Sequence, residues 1–377
     1  MKFFLFRNFF LRLAALVLCA SALAGVGVAQ QPQAPLTNAE FLALVRQLPR
    51  PGVKEQILAE VRRRGIAFPL TSGLRAFVAT RSGNDVELRR ALEEAERRFL
   101  NPSEAKPLPG EAESLDLLAK TRAATLEALD QMPDFVVKQI VSRAYARGRS
   151  QNWRTDDHLV VGVSYRPSEG EKYRLLSVNG VTGPDAREKS DYVEAGGASS
   201  TGEFVTVLKE LFAERSRAEF KPLDTDTLRG RRTIVYAFDI KKANSRWELK
   251  TGGAAVIAGQ RGKIWVDREK ARVLRVEFES TDVPAAFPIQ AANVAIDYDW
   301  VTIPSQGEYL LPSRSLVVMT TIARGETLQS RNDIRFRSYQ KFGTELKILD
   351  DDFLDEGVPV EEPPPPPPTT KPPEKKP

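Results

Sequence analysis

The sequence predicts an α+β protein in which a small helical module precedes a larger antiparallel sheet packed on helices. Three observations carry this prediction. Apolar residues recur at helical spacing over residues 36–98, and from Phe135 onward the period changes to two, as in β-strands. The chain then ends in a proline-rich segment that cannot build a core, so residues 351–377 are predicted to be an acidic, then proline-rich, disordered tail.

The first 29 residues form a predicted signal peptide. The basic stretch MKFFLFRNFFLR is followed by the apolar run LAALVLCASALAGV and by small residues, so we expect cleavage near Ala29. An uncleaved membrane anchor is the alternative. Cys19 is the sole cysteine, and Leu18 before it argues against a lipoprotein signal. The mature protein is therefore predicted to be periplasmic or secreted, without disulfides and without a later membrane-spanning segment.

The charge of the chain does not indicate a nucleic-acid partner. The formal net charge is +5 and the pI is about 9.2, but Lys2, Arg7 and Arg12 lie in the leader, where no acidic residue offsets them. The rest of the chain is close to neutral. Nucleic-acid binding favours a clustered basic face, so we expect no nucleic acid as partner.

Residues 36–98 are predicted to hold three helices. Thr37 and Glu40 have the spacing of a capping box, and Gly65 is placed to end the second helix. The third helix is predicted over residues 85–98. Such a module either mediates contacts or presents a charged, solvated face.

A linker is predicted over residues 99–112, and the main β domain over residues 113–350. The domain starts with a helix over residues 114–131, whose predicted buried stripe is Leu115, Leu118, Thr121, Leu126 and Leu129. A second helix is predicted after a capping box at Ser200 and Glu203, and Asn179-Gly180 predicts a hairpin turn. The strands number about ten or eleven at short spacing, which favours an antiparallel meander.

Several stretches of the β domain resemble a known group of proteins. The chain over residues 132–349 is similar to secreted bacterial proteins common in acidobacteria, through MPDFVVKQIVSR, RGKIWVDREKARVLRVEFES and FPIQAANVAIDYDWVTI. That group resembles the LolA-like fold of periplasmic lipoprotein carriers, which implies a sheet bent into a half-barrel with an apolar concave face. RRGIAFPLTSGLRAFV also resembles a small helical module found beside varied domains in the same bacteria.

No motif for catalysis or for a cofactor is recognisable. His158 is the single histidine and has no cysteine nearby, which argues against a zinc site, and its neighbours Asp156 and Asp157 do not form a triad with it. No nucleophile elbow or phosphate loop occurs, and the segment 224–226 lacks the glycine and glutamate of a calcium loop. We therefore predict no enzyme activity, no metal and no cofactor.

The resemblance leaves the interior of the half-barrel as the candidate site. A set of strand aromatics is predicted either to belong to the core or to line an apolar cavity for acyl chains: Trp247, Trp265, Phe278, Tyr298 and Trp300. The first functional hypothesis is a non-enzymatic binding protein that holds a lipid or lipoprotein acyl chain. The second is an envelope protein-interaction or sensing factor whose half-barrel is filled by its own side chains. The third is a hydrolase with an unrecognised site.

Overall fold

The computed structural model describes residues 34–102, 109–148, 152–182, 202–251, 253–323 and 325–343. The predicted signal peptide and proline-rich tail lie outside these residues, as do Ser200 and residues 103–108 of the predicted linker. The chain divides into two compact units, with the boundary between Lys106 and Pro107. Among the described residues, no helix combines the length and the apolar character needed to cross a bilayer.

The first unit is helical. Its described helices are α1 (Asn38–Val45), α2 (Val53–Arg64), α3 (Ser72–Ser82) and α4 (Val86–Leu100). The predicted capping box is confirmed: the Thr37 amide donates to Glu40 Oε2 at 2.8 Å, and the Glu40 amide donates to Thr37 Oγ1 at 3.3 Å. Gly65 ends α2 with a φ of 69°, in the left-handed region that favours glycine.

The prediction of three helices in this unit is wrong, because α3 is a fourth. Thr71 caps it, with its hydroxyl accepting from the Leu74 amide at 3.2 Å. Gly73 in the first turn lowers the helical propensity of a short segment, which hides the helix from a periodicity argument. The apolar faces of the four helices meet in one core, in which Phe41, Ile57 and Leu88 are fully buried.

The second unit combines a long sheet with two helices in its described part. Its helices are α5 (Glu111–Asp130) and α6 (Thr206–Phe212). Its strands are β1 (Phe135–Arg147), β2 (Arg154–Arg166), β3 (Gly170–Val178), β4 (Glu219–Leu228), β5 (Arg231–Ile240), β6 (Glu248–Thr251), β7 (Ala254–Ile257), β8 (Gly259–Asp267), β9 (Val273–Thr281), β10 (Ile289–Ile303), β11 (Gly307–Ala323) and β12 (Glu326–Lys341).

Ten strands form one antiparallel sheet in the order β3-β2-β1-β12-β11-β10-β9-β8-β5-β4, and β6 pairs with β7 in a separate hairpin. The first and last strands of the order do not pair with each other, so the sheet is an unclosed half-barrel. The predicted α+β class and antiparallel half-barrel are confirmed. Neighbouring strands in this order are consecutive along the chain except where β12 lies beside β1 and where β8 lies beside β5, after the β6–β7 hairpin.

Helix α5 buries most of the predicted stripe: Thr121 and Leu129 are buried, and Leu118 and Leu126 are partly buried against the core. Leu115 is 58% exposed, whereas Ser114 and Leu117 are buried. The hydroxyl of Tyr236 on β5 donates to the Ser114 carbonyl at 2.9 Å, which ties this face of α5 to the sheet. Leu115 is therefore the one member of the predicted stripe that does not face the core, because Ser114 takes the contact with the sheet at the start of the helix.

Helix α6 begins later than predicted, at Thr206, and no side chain of its own N-terminus caps it. Glu203 of the predicted capping box is instead buried, with 1% exposure. The predicted turn at Asn179-Gly180 is present, since both residues have positive φ values of 48° and 78°. This turn leads only into a single bridge between Val178 and Val181.

Candidate functional site

The two faces of the half-barrel have different environments. We call the face on which α5 and α6 pack the inner face, and the opposite one the outer face. Because side chains alternate along a strand, each strand divides its residues between these faces. The largest core of the protein lies on the inner face, where Leu117 and Leu129 of α5 and Leu208 and Leu211 of α6 meet the sheet.

Aromatic side chains fill much of the inner face. Phe204 contacts Phe135, Phe336 and Tyr339 with ring centroids 5.5, 5.0 and 6.3 Å apart. Phe135 also stacks on Tyr165 at 5.3 Å. These tilted, edge-on and stacked contacts are the arrangements that aromatic pairs prefer, so this part of the interior is occupied by the protein itself.

A pocket of about 200 Å³ remains at the end of α5. Its apolar lining includes Leu129, Met132, Leu208, Val273, Trp300 and Leu310. Its polar lining includes Thr125, Gln131, Arg272 and Glu308. The pocket thus combines an apolar wall with a few polar groups, the usual composition of a small-molecule site.

Trp300 is the lining residue with the most distinctive surroundings. It lies on β10 opposite Leu310 of β11, and both side chains line the pocket. The Lys270 ammonium lies 4.8 Å from the centre of the Trp300 ring. In the described part of the chain, the indole nitrogen of Trp300 is buried without a hydrogen-bond acceptor. Such a buried donor costs about 1–3 kcal/mol unless an acceptor reaches it.

The structure separates the five aromatics predicted to line a cavity. Trp300 lines the pocket, whereas Tyr298, two residues earlier on the same face, is fully buried in the core. The Tyr298 hydroxyl donates to the Glu203 carbonyl at 3.3 Å. Tyr298 therefore supports the interior beside the pocket and does not line it.

Trp247 and Phe278 lie together, away from the pocket lining. Their rings meet edge to face with centroids 4.8 Å apart. Trp247 is half-buried and also packs on a smaller cluster that contains Leu249, Phe287 and Ile289. This pair joins the β6–β7 hairpin to the main sheet, which is a structural role.

Trp265 lies on the outer face, so the structure does not place it with the other four aromatics. Its neighbours Ile264 and Val266 point into the inner core, and the alternation of the strand turns Trp265 outward. There it packs with Val235 and Leu274 in a separate cluster. The hairpin of β8 and β9 is thus a wall whose tryptophan faces away from the interior.

A cluster that sequence analysis missed lies at the start of α6. Glu171 of β3 accepts hydrogen bonds from the amides of Gly202 at 3.1 Å and Val205 at 3.2 Å, and from the Tyr173 hydroxyl. The Tyr173 hydroxyl also accepts from the Gly202 amide at 2.9 Å. These bonds satisfy amide groups at the beginning of a helix that has no local cap.

Burial raises the pKa values of the titratable side chains in and beside this cluster. Burial raises the pKa of the Glu171 carboxyl, against the hydrogen bonds that favour its charged form. Burial, followed by the Glu171 charge, raises the pKa of Tyr173 well above its usual range. Burial likewise raises the pKa of Tyr298 and of Tyr339 well above theirs. The three hydroxyls therefore stay protonated at neutral pH and remain able to donate.

The polar residues that the sequence analysis considered for catalysis or metal binding make contacts that stabilise the fold. The Ser142 hydroxyl lies 3.2 Å from His158 Nδ1, while Asp157 turns to Arg143 and accepts its Nε at 2.6 Å. Asp226 accepts from Trp265. Within the described ranges, no group of three or more histidine, cysteine, aspartate or glutamate residues could hold a metal ion.

Comparisons with known proteins give no family assignment. No family model matches the chain, and no curated protein matches it. The predicted resemblance to a secreted acidobacterial group therefore stays a prediction.

Solved structures show remote similarity. A domain described as an outer membrane lipoprotein-sorting protein from Vibrio parahaemolyticus is 13% identical, with a TM-score of 0.22 over 63% of this chain and 94% of that chain. A DUF1329 family protein from Desulfovibrio piger is 11% identical, with a TM-score of 0.27 over 65% and 97%. The MucA/MucB complex of Pseudomonas aeruginosa contains a chain that is 9% identical, with a TM-score of 0.17 over 60% and 99%. Similarities this remote do not establish a shared function.

Proposed function

We propose that the protein is a non-enzymatic binding protein of the cell envelope whose pocket holds part of an acyl chain from a lipid or a lipoprotein. The observation that supports this most directly is the pocket beside α5, whose apolar lining includes Trp300, Leu310, Met132 and Leu208. The envelope location rests on the leader sequence, which predicts export and a mature chain beginning at Gln30.

The size of the pocket limits what enters it. Sites for drug-sized ligands measure about 300–1,000 Å³, whereas an apolar cavity of about 150 Å³ already accepts a benzene molecule. At about 200 Å³, the pocket takes a short segment of a chain. Burying four methylene groups would contribute about 3 kcal/mol.

The polar lining favours the segment next to the acyl carbonyl. The buried indole N–H of Trp300 offers a donor that a carbonyl oxygen would satisfy. Arg272 adds a cation to the same lining. A carboxylate or ester oxygen near Trp300, with its first methylenes against Leu310 and Met132, would match both the apolar and the polar parts of the pocket.

Binding can be tested on the mature protein with a fluorescent fatty acid and by native mass spectrometry of the protein purified from its own envelope. We expect saturable uptake and a stoichiometric bound lipid. Trp300→Phe keeps the ring but removes the donor, so it should weaken uptake about fivefold to tenfold. Trp265→Phe, on the outer face, is the matched control and should leave affinity unchanged. A clean apo mass together with no uptake would contradict the proposal.

A second candidate function is a protein-interaction or sensing factor with a filled half-barrel. The aromatic packing of Phe135, Phe204 and Phe336 favours it, because that part of the interior has no room for a guest. Helix α4 also exposes apolar side chains, with Val86 at 47% and Leu100 at 59%. Its partner would be an envelope protein that contacts the helical unit.

Photo-crosslinking in cells separates the two candidates. A crosslinker at Leu100 should trap one defined protein if the second candidate is right, whereas a crosslinker at the exposed Lys120 on α5 serves as control. A discrete product at Leu100, together with absent fatty-acid uptake, would replace the first candidate by the second. Absence of any product would leave the second candidate without support.

A further inference from the structure

Two cations lie at the pocket beside α5, in the turn between β8 and β9. Arg272 lines the pocket directly. The Lys270 ammonium reaches the same place from the turn and lies 4.8 Å from the centre of the Trp300 ring, which also lines the pocket. Lys270 is exposed and Arg272 is half-buried, so a ligand that enters from solvent can contact both.

Neither cation is neutralised by a carboxylate within the part of the chain that the structure describes. The Arg272 guanidinium has one hydrogen bond there, from Nη1 to the Ala271 carbonyl at 3.5 Å, and the Lys270 side chain has only its contact with Trp300. Other cations of β5, β9 and the same turn are paired: Arg231 with Asp267, Arg268 with Glu113, and Arg275 with Asp297. The two positive charges at the pocket are therefore available to an anionic group.

Hydrogen bonds within the turn hold the two cations in position. The Asp267 amide donates to the Arg272 carbonyl at 2.8 Å. Asp267 Oδ1 accepts from the amides of Glu269 at 2.9 Å and Lys270 at 3.0 Å, while its Oδ2 accepts from Arg231. Because a preorganised site loses less conformational freedom when it binds, this turn is suited to recognition.

A carboxylate lines the same pocket. Glu308 lies at the start of β11, opposite Thr302 of β10 and two residues before Leu310. It is exposed, and among the described residues its carboxylate forms no ion pair with Lys270 or Arg272. The pocket therefore offers a ligand two positive charges and one separate negative charge.

We propose that the pocket selects a single-chain phospholipid whose head group carries a phosphate and a primary ammonium, as phosphoethanolamine does. The inference rests on the proposed function, because it assigns a head group to the acyl chain bound there. The phosphate would bind between Lys270 and Arg272, since a guanidinium donates to phosphate through two parallel hydrogen bonds and an ammonium adds a point charge. The ammonium of the head group has three donors and would donate to Glu308.

Other head groups match these charges less well. A fatty-acid carboxylate or a phosphoglycerol group brings negative charge alone, which Glu308 would repel. Phosphocholine has a quaternary ammonium, which cannot donate a hydrogen bond to Glu308 and which proteins hold against aromatic faces. At this pocket Lys270 already lies over the Trp300 ring.

The head-group preference can be measured by isothermal titration calorimetry on the mature full-length protein, below the micelle concentration of each ligand. The ligands share one saturated acyl chain and differ only in the polar end: phosphoethanolamine, phosphocholine, phosphoglycerol or a free carboxylate. We expect the phosphoethanolamine form to bind at least about tenfold more tightly than the other three. Equal affinity for all four would overturn this inference and leave the proposed function standing, whereas binding of none would overturn both.

Glu308→Gln should remove the preference, by weakening the phosphoethanolamine form about fivefold and strengthening the phosphoglycerol form. Glu326→Gln, the same change at an exposed site at the start of β12, is the matched control and should keep the preference. Lys270→Gln and Arg272→Gln should each weaken all three phospholipids about fivefold to tenfold, whereas Lys120→Gln on α5 should not. A preference that survives Glu308→Gln, or tighter binding of phosphoglycerol than of phosphoethanolamine by the wild type, would overturn the inference.

Discussion

The indole N–H of Trp265 donates to Asp226 Oδ2 at 2.9 Å on the outer face of the half-barrel. The two residues lie on β8 and β4, on either side of β5, so the hydrogen bond crosses an intervening strand. Both side chains are largely buried, with Trp265 at 4% and Asp226 at 6% exposure. The bond therefore ties the edge strand of the sheet to its neighbours.

Trp265→Phe should destabilise the sheet unit without affecting ligand uptake. The substitution keeps the ring against Val235 and Leu274 but leaves a buried carboxylate without this donor. Hydrogen bonds to charged groups contribute about 1.5–3 kcal/mol, and we expect a loss of that size in the free energy of unfolding measured with urea. Asp226→Asn retains an acceptor oxygen and should cost less. An equal cost for both variants would contradict the role given to the hydrogen bond.

Glu171→Ala should loosen helix α6. The substitution removes the acceptor for the Val205 amide and one of the two acceptors of the Gly202 amide, which keeps the Tyr173 hydroxyl, and a buried amide left without a partner costs about 1–3 kcal/mol. We expect a loss of about 1–3 kcal/mol in the free energy of unfolding and faster hydrogen exchange in α6. Exchange in β10 should change less. Unchanged protection of α6 would show that another group caps the helix.

The titration of the Glu171 carboxyl should appear in the pH dependence of the free energy of unfolding. Burial raises the pKa of Glu171 in the folded state, so its protonated form is favoured there. The stability that protonated Glu171 contributes is fully present below the pKa of the unfolded chain, about 4.3. It is lost as the pH rises through the raised pKa of the folded state. Glu171→Gln does not titrate, so its stability should fall less over this range than that of the wild type. Parallel curves would contradict the assignment.

Glu40 should make the helical unit lose stability as the pH falls, which is the opposite of the effect expected for Glu171. The Thr37 amide, the Thr37 hydroxyl and Arg64 lower the pKa of Glu40 to about 2. Its contribution to stability is present above the unfolded pKa and is lost as the pH falls from about 4.3 towards 2. Glu40→Gln should reduce this acid dependence, measured by helical circular dichroism of the full chain. Glu55→Gln, at an exposed position of α2, is the control and should resemble the wild type.

Gly262→Ala should prevent normal pairing of β8 with β9. A methyl group at this position would lie 2.1 Å from the Glu277 carbonyl oxygen and 2.8 Å from Phe238 Cε1, so the backbone itself would have to move. We expect a loss of several kcal/mol, about 3 or more, or failure to fold. Gly73→Ala in α3 meets no neighbour within 4 Å and should stabilise its helix by up to about 1 kcal/mol. A tolerated Gly262→Ala would show that the two strands separate easily.

Local signals predicted much of the fold correctly. The capping box at Thr37, the helix end at Gly65 and the period of two in the strands all depend on residues within a few positions of each other. The same signals failed where distant residues decide. The cap of α6 comes from Glu171, more than thirty residues earlier, and at the start of α5 the contact with Tyr236 of β5 accompanies the burial of Ser114 in place of Leu115.

The candidate site was predictable only in part, through one of its residues. Trp300 was among the predicted lining aromatics, but Met132, Leu208 and Arg272 come from elements far apart in the chain and carry no shared pattern. Alternation correctly separates Trp265 from Ile264 and Val266. It does not indicate which of the two faces the helices cover.

The sequence by itself determined the fold class, most of the helices and strands in their order, and the alternation of side chains along each strand, because these depend on local propensity and periodicity. Only the tertiary structure decided that Trp265 faces outward, that Trp300 lines a pocket, and that Lys138 and Arg337 meet across two strands. These relationships depend on which strands pair and in which register. That choice is made by burial and hydrogen bonding over the whole sheet, which no short stretch of sequence contains.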